Sequence, residues 1–364
     1  MSGAANPVSL ATIDLAAIAD NVVLLKQHAS GAQVMTVVKA NGYGHGAVEV
    51  ARAALSGGAD WLGVASLAEA LELRDSGVGA PLLAWLHEPG ARFDEAISAG
   101  IDIGVSDRAQ LDSVASAAAA SQQGAASVHL KLDTGLGRNG ADEPNWAPLF
   151  EAARAHERAG VLRVRGIFSH LSNANDDEDA RQLDRFSGAL AAAGRAGLRP
   201  ELRHLASTAA TLRLPQTRLD LVRTGIGSYG LSPFGDESPV PGLRPAMTLA
   251  STIVAIVPSV DDSESARSGV IPLGYGDGVP PQAAGRVHVF AAGGPLLVTR
   301  VESDHTFVAP ALAGHDVARG DEVTLFGDPA LGHTSVDAWA DAAGTINYEV
   351  VTRLGARVPR RYHS

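Results

Sequence analysis

The stretch "TVVKANGYGHG", residues 36 to 46, ends an apolar run on Lys39 and passes at once into a turn containing Gly42, Gly44 and Gly46. Desolvation lowers the pKa of a lysine and leaves a nucleophilic amine, which is the group that Schiff-base chemistry needs. Tyr43, set between two of the glycines, carries a phenol that could hydrogen-bond a phosphate. Taken singly, each feature has a plainer reading: a lone lysine is usually a solvated charge, and glycines make tight turns. The residues alone leave both readings open.

Eight β-rich runs recur through the first two-thirds of the chain: "VMTVV" from 34, "WLGVA" from 61, "PLLAW" from 81, "IDIGV" from 101, "VHLKL" from 128, "VRGIF" from 164, "ELRHLA" from 201 and "LDLVR" from 219. Between them lie stretches with helical spacing, such as Leu15, Ile18, Val22 and Leu25, and the alanine-rich 109 to 120. Apolar strands alternating with helices call for a parallel sheet covered on its outer face. Eight such units favour an α/β fold of the (β/α)8 TIM-type barrel over the alternative, an open doubly wound sheet. In a barrel the residues just past each strand form the catalytic face, and Lys39 is such a residue. After about residue 242 the rhythm changes to "ASTIVAIV", "RVHVF", "LLVTRV" and "DEVTLF", with one helical stretch near 335 to 343. The expected organisation is a barrel over 1–240 and a mostly β C-terminal domain over 241–364, joined at the Pro-rich "SPFGDESPVPGLRP".

A net charge of −11 offers no field for phosphate backbones or anionic lipid, so neither nucleic acid nor membrane is an expected partner. The absence of cysteine excludes disulfides, thiolate metal sites and cysteine nucleophiles. No uncharged segment approaches the ~18 residues of a membrane span, and the expectation is a cytoplasmic protein without a metal.

"VVKANGYGHG" resembles the cofactor-lysine motif of the alanine racemase family, pyridoxal-phosphate enzymes of fold type III built from a barrel and a β domain. Further matches follow in order: "KLDTGLGRNG" from 131, "FSHLSNA" from 168, "HLASTAA" from 204, "LVRTGIGSYGLSP" from 221, "LRPAMTL" from 243, "PLGYGDG" from 272 and "INYEVVTRLGARVPR" from 346. The resemblance implies pyridoxal 5'-phosphate held covalently by Lys39, which also serves as a base on one face of the substrate's α-carbon. Tyr43, Thr208, Gly225, Ile226 and Tyr348 match phosphate-binding positions, Thr208 standing where serine is more usual. Arg223 corresponds to the arginine facing the pyridine nitrogen, Arg138 to the one contacting the phenolic oxygen and the substrate carboxylate, and Lys131 to a lysine that is often carbamylated. His170 corresponds to a histidine that braces the catalytic tyrosine. Tyr275, Ser303 and Asp304 match substrate-side positions of the β domain, which in the family completes the site of a partner subunit. A homodimer acting on a small amino acid is therefore implied.

Two departures from the family pattern bear on the reaction. Racemisation takes a proton from one face and returns it to the other, so it needs two acid–base groups. The family's second base is a tyrosine between "PAMTL" and "GYADG"; here no tyrosine lies between Met247 and Tyr275, and the segment is shorter. Where the family reads something like "GRVCMDQ", this chain has "TRVESDH", keeping Asp304 but placing Ser303 where methionine is expected, beside Glu302 and His305. Three readings follow: a racemase whose second base is missing or supplied by Tyr275, His170, His305 or Glu302; a one-base enzyme such as a β-hydroxy amino acid aldolase using His170; or an inactive cofactor-binding paralogue. The acidic run "DDSES" from 261 is read as a solvated loop.

Overall fold

The computed structural model describes residues 7–121, 123–236, 238–258, 267–311 and 316–364, so the "DDSES" run lies outside the described residues. The chain divides into two compact units, one of residues 22–42 and 51–228, the other of residues 1–21, 43–50 and 229–364.

In order along the chain the first strand is β1 (Leu10–Asp14), followed by β2 (Gln33–Val37), β3 (Trp61–Val64), β4 (Leu82–Ala84), β5 (Asp102–Val105), β6 (Ala126–Lys131), β7 (Leu162–Phe168), β8 (Leu202–His204) and β9 (Leu221–Thr224). Strands β2 to β9 form the first unit's eight-stranded parallel sheet, each lying within or against one of the eight apolar runs. The order runs β8-β7-β6-β5-β4-β3-β2-β9, so neighbours in sequence are neighbours in space and the last strand returns to the first. Asp220 N–H donates to Arg203 C=O at 3.1 Å and Arg223 N–H to Ala206 C=O at 3.0 Å, bringing β9 against β8 and closing the ring. That closure excludes the doubly wound alternative.

β3, β4 and β5 are buried along their whole length, which is why they lack the alternation of a one-sided sheet. Met35, Trp61, Leu83, Leu202 and Leu221 form a core cluster on which Trp85 packs. Gly63 leaves the room for that indole: a Cβ there would stand 2.7 Å from Trp85 Cζ3.

The second unit is a nine-stranded sheet in which β1 is joined by β10 (Met247–Thr252), β11 (Ala255–Pro258), β12 (Arg267–Ile271), β13 (His288–Ala291), β14 (Gly294–Val301), β15 (Thr306–Pro310), β16 (Glu322–Phe326) and β17 (Arg360–His363). β1 pairs antiparallel with β10 and parallel with β17, so the first strand belongs with the C-terminal sheet. The run "ASTIVAIV" is two strands, because the chain changes neighbours at Ile253: β10 pairs with β16 and β11 with β12. The expected helical stretch is Val336–Ala343, capped by Ser335 Oγ, which accepts from Ala338 N–H at 2.9 Å.

Asp337 in that helix is buried, and burial together with the nearby Asp236 and Asp341 pushes its carboxyl up to about 6, although Asn347 Nδ2 donates to it at 2.8 Å. A folded-state pKa above the unfolded one makes a stabilising contribution that is complete below the unfolded value and lost as pH rises through about 6. Asp337→Asn keeps the acceptor and removes the charge. Its stability relative to wild type is expected to rise from near zero at about pH 4 to about 2 kcal/mol at about pH 7, read by denaturant unfolding at both pH values.

Candidate active site

Lys39 stands immediately beyond β2, on the C-terminal face of the barrel. The turn it opens has an unusual hand: Ala40, Asn41, Gly42 and Tyr43 all have φ between 47° and 59°. For a non-glycine residue each such conformation costs on the order of 1–2 kcal/mol, a strain that persists only where the surroundings over-determine it. Val38 N–H donates to Gly63 C=O at 2.8 Å and Gly42 N–H to Val38 C=O at 2.9 Å, fixing the entrance to the turn. Glu69 holds it from the side, its Oε1 accepting from Ala40 N–H at 2.6 Å while Oε2 accepts from Ala65 and Ser66 N–H. Ser66 and Glu69 also form the capping box of helix Leu67–Asp75. One carboxylate thus ties the lysine turn to a helix start. Glu69→Ala is expected to cost about 2 kcal/mol of stability, measured by chemical denaturation, since it removes three backbone contacts, one of them half of the capping box.

Four cationic side chains act on one another in the same unit. Burial, then the charge of Arg138, lowers the pKa of Lys39, opposed by Glu69. Lys131, at the end of β6, is brought down to about 8 by burial and by Arg223, Arg138 and Lys39, with Asp133 opposing. Its Nζ lies 5.9 Å from the centre of the Phe168 ring. Arg223 on β9 is buried, which lowers its guanidinium to about 9. Its Nη2 donates to Ser169 C=O at 2.8 Å, Leu205 C=O at 3.0 Å and His170 Nδ1 at 3.2 Å, and its Nη1 to His204 Nδ1 at 3.0 Å. His170 lies just past β7, and burial and all four cations hold it well below the ordinary histidine range. Guanidinium only donates, so His170 Nδ1 is an acceptor and the proton of this neutral ring sits on Nε2.

Arg138 is exposed on the loop after β6, shaped by Asp133, whose Oδ1 accepts from Gly135 N–H at 2.9 Å and Gly137 N–H at 3.1 Å. Thr208 is buried, and its Oγ1 accepts from Gly225 N–H at 3.0 Å, next to Ile226, which opens the short 3-10 turn Ile226–Tyr229. Lys39, Lys131, Arg138, His170, Thr208, Arg223, Gly225 and Ile226 therefore all belong to the barrel unit.

The remaining expected positions belong to the other unit. Tyr43 packs edge-on against Tyr229 at 5.2 Å and Tyr348 at 5.9 Å. Burial pushes the Tyr348 phenol up to about 12, so it stays a donor near neutral pH. Tyr275 is 56% exposed, and its N–H donates to Glu302 C=O at 2.8 Å. Ser303 Oγ donates to Asp304 Oδ2 at 2.6 Å, while Arg357 bridges Asp304 at 2.7 Å and Asp277 at 2.9 Å. Glu69, Asp133, Tyr229 and Arg357 were not singled out from sequence. The spacing "SLAE" at 66–69, a capping-box pattern before an apolar run, could have found the first.

A barrel carrying a lysine of lowered pKa just past a strand's C-terminal end, with arginine charges acting in the same unit, has the pattern of a site where an amine meets an anionic ligand. Residues 13–233 match the family model described as alanine racemase, N-terminal domain, and residues 259–362 the model for the C-terminal domain. An alanine racemase of Thermobifida fusca is 47% identical, with 97% of each chain covered, and one of Frankia casuarinae is 44% identical, covering 97% of this chain and 96% of that one. The crystal structure of an alanine racemase from Streptomyces lavendulae superposes with a TM-score of 0.94 at 42% identity, covering 99% of this chain and 98% of that one. The chain belongs to the alanine racemase family, whose cofactor is pyridoxal phosphate.

The residues present suit that cofactor. The barrel unit offers a lysine amine of lowered pKa with Lys131, Arg138 and Arg223 acting around it, while the carboxylates that enter their balance are Glu69 and Asp133. Such a set calls for an anion, and a phosphate, a phenolic oxygen and a substrate carboxylate would each supply one. No helix among the described residues is long and apolar enough to cross a membrane.

Proposed function

We propose that this chain is a pyridoxal-phosphate-dependent amino-acid racemase of the alanine racemase type, with Lys39 as the base on one face and the family's second base missing or replaced. The observation that carries this reading is the half-buried Lys39 amine, its pKa lowered by burial and Arg138, on a left-handed turn at the end of β2. Pyridoxal phosphate, when bound, supplies an aldehyde for that amine and a conjugated ring that accepts the electron pair left when an α-proton is removed.

The chain's own residues do the rest. Lys39, neutral in a larger fraction than an exposed lysine, can take and return a proton at the α-carbon. Arg223 presents a guanidinium that keeps its proton at neutral pH, so it fixes a positive charge without passing a proton to the pyridine nitrogen. Arg138, exposed and cationic, suits the substrate carboxylate and the phenolic oxygen. The hydroxyl of Thr208 and the backbone of Gly225 and Ile226 suit the phosphate, with the phenols of Tyr43 and Tyr348 as further donors. Lys131, with a pKa near 8, holds enough free amine to add carbon dioxide, which would turn a fourth cation into an anion facing Arg138.

Tyr275, Ser303 and Asp304 lie on the β unit, and the exposure of Tyr275 supports their serving a partner subunit in a homodimer. The cytoplasmic residence expected from sequence belongs to the same proposal. No observation favours the aldolase reading: it needs a basic Nε2 on His170, whereas the Arg223 contact leaves the proton on that nitrogen. The test is incubation of the cofactor-loaded protein with each enantiomer of alanine, followed by chiral chromatography. Formation of the opposite enantiomer is expected. Glycine and an aldehyde from threonine, with no interconversion of alanine, would reject the proposal.

A further inference from the structure

A line of buried polar groups crosses the barrel interior beneath Arg223. His204 Nδ1 accepts from Arg223 Nη1 at 3.0 Å, His204 Nε2 meets His129 Nδ1 at 2.9 Å, and His129 Nε2 meets Asp102 Oδ2 at 3.0 Å. Both histidines are fully buried and Asp102 is 4% exposed. Asp102 is the first residue of β5, at the N-terminal end of the barrel, whereas Arg223 sits near the end of β9. The line therefore runs the length of the barrel. The guanidinium of Arg223 bonds two imidazoles and two carbonyls, and among the described residues no carboxylate touches it directly.

The chemistry of the end members fixes the direction of every proton between them. A guanidinium has donors only, so His204 Nδ1 is bare and its proton sits on Nε2. That proton points at His129 Nδ1, which must then be bare, leaving His129 with a proton on Nε2 that it donates to the Asp102 carboxylate. The rings are held by their surroundings: Phe168 stacks on His204 at 4.6 Å with planes 3° apart, and Trp61 meets His129 edge-on at 5.7 Å. Gly166 on β7 gives way to His129, since a Cβ there would stand 2.2 Å from Nδ1.

We propose that Asp102 is the counter-ion of Arg223, acting through two neutral histidines of fixed tautomer, and is thereby a positioning residue that sets the guanidinium's orientation and the charge of the site. The link to the cofactor rests on the function proposed above. Asp102 also faces Arg165, at 3.3 Å, and the charge of Arg74, while Arg165 reaches Glu201 at 3.9 Å. At the other end Arg223 faces His170, Lys131 and, through them, Lys39 and Arg138.

The experiment has two readouts. Nitrogen-15 NMR of histidine-labelled protein, with and without pyridoxal phosphate, should show His129 and His204 as neutral Nε2–H tautomers between about pH 6 and pH 9. An imidazolium, or a proton on Nδ1 of either ring, overturns the relay. The second readout is the pH midpoint of the visible absorption change of the Lys39–cofactor adduct. Asp102→Asn keeps an oxygen for His129 but deletes the charge, and the midpoint is expected to fall by up to about one pH unit, because the site becomes more positive. His204→Gln, which can accept and donate at once, should stay near wild type, whereas His204→Leu should shift as Asp102→Asn does. An unmoved midpoint in folded Asp102→Asn protein rejects the proposal. If the protein takes up no cofactor, the proposed function fails, and the histidine spectra still decide the relay.

Discussion

Lys39→Ala protein mixed with pyridoxal phosphate is expected to remain without the visible band of a covalent adduct and to lose at least about 10³-fold of any turnover with amino acids, since it loses both an anchoring amine and a base. The chain makes this unusually clear to test. It contains three lysines, Lys26, Lys39 and Lys131, so borohydride trapping followed by peptide mapping has three possible answers. Lys26 is committed elsewhere, its Nζ bonded to Gly58 C=O at 2.6 Å and paired with Asp60 at 3.0 Å. Lys131 is buried and, with a pKa near 8, is the one competitor. A label on residue 131 in wild-type protein would reverse the roles assigned to the two amines. Because the turn is held by backbone contacts from Gly63 and by Glu69, removing the lysine side chain should leave stability within about 1 kcal/mol of wild type. Loss of the band without loss of fold is the combination that assigns the chemistry to Lys39.

The barrel was legible because its signal is local and repeated: a strand buried on both faces prints a short apolar run, and eight runs recur at intervals filled by helices. The first strand was not. β1 is five residues long, passes into helix Leu15–Ala29 without a turn, and finds its partners near residues 250 and 360, contacts that leave no mark on nearby sequence. The division of "ASTIVAIV" was hidden for a related reason, since a change of neighbour at Ile253 interrupts pairing without interrupting the apolar pattern. Lys39, Arg138 and Arg223 could be picked out by type and order, but the left-handed turn that carries the lysine could not, because Ala40 and Tyr43 give no sign of positive φ and a single Asn41 beside Gly42 marks no more than an ordinary turn. The chain from Asp102 to Arg223 was out of reach altogether. Its members lie on four strands, 27 and 75 residues apart at two of its links, and each alone reads as an ordinary core histidine or a strand-end aspartate.

Exchange of the α-hydrogen with solvent is expected to be strongly one-sided. With Lys39 serving one face and no tyrosine between Met247 and Tyr275, one enantiomer of alanine in D₂O should acquire deuterium about 10²- to 10⁴-fold faster than the other, with interconversion limited by the slower face. The hairpin of β11 and β12 places the difference, because only residues 259–266 connect Pro258 to Arg267, and none of them is aromatic. Proton NMR of each enantiomer with the loaded enzyme measures both rates. Equal exchange would mean that another group serves the second face, and the β unit narrows the choice. Glu302 is paired with Arg300 at 3.4 Å, and Asp304 is tied to Arg357 and Ser303, so both carboxylates are already engaged. Among the tyrosines, Tyr43 and Tyr229 are buried, Tyr348 holds its proton to about pH 12, Tyr362 is half-buried with its phenol pushed up by burial and by Glu49, and Tyr275 is exposed. Under equal exchange, Tyr275→Phe should slow one face and spare the other, and if it spares both, His305→Gln is the variant that must do so. One-sided exchange that neither substitution alters would establish Lys39 as the working base and leave the opposite face to water.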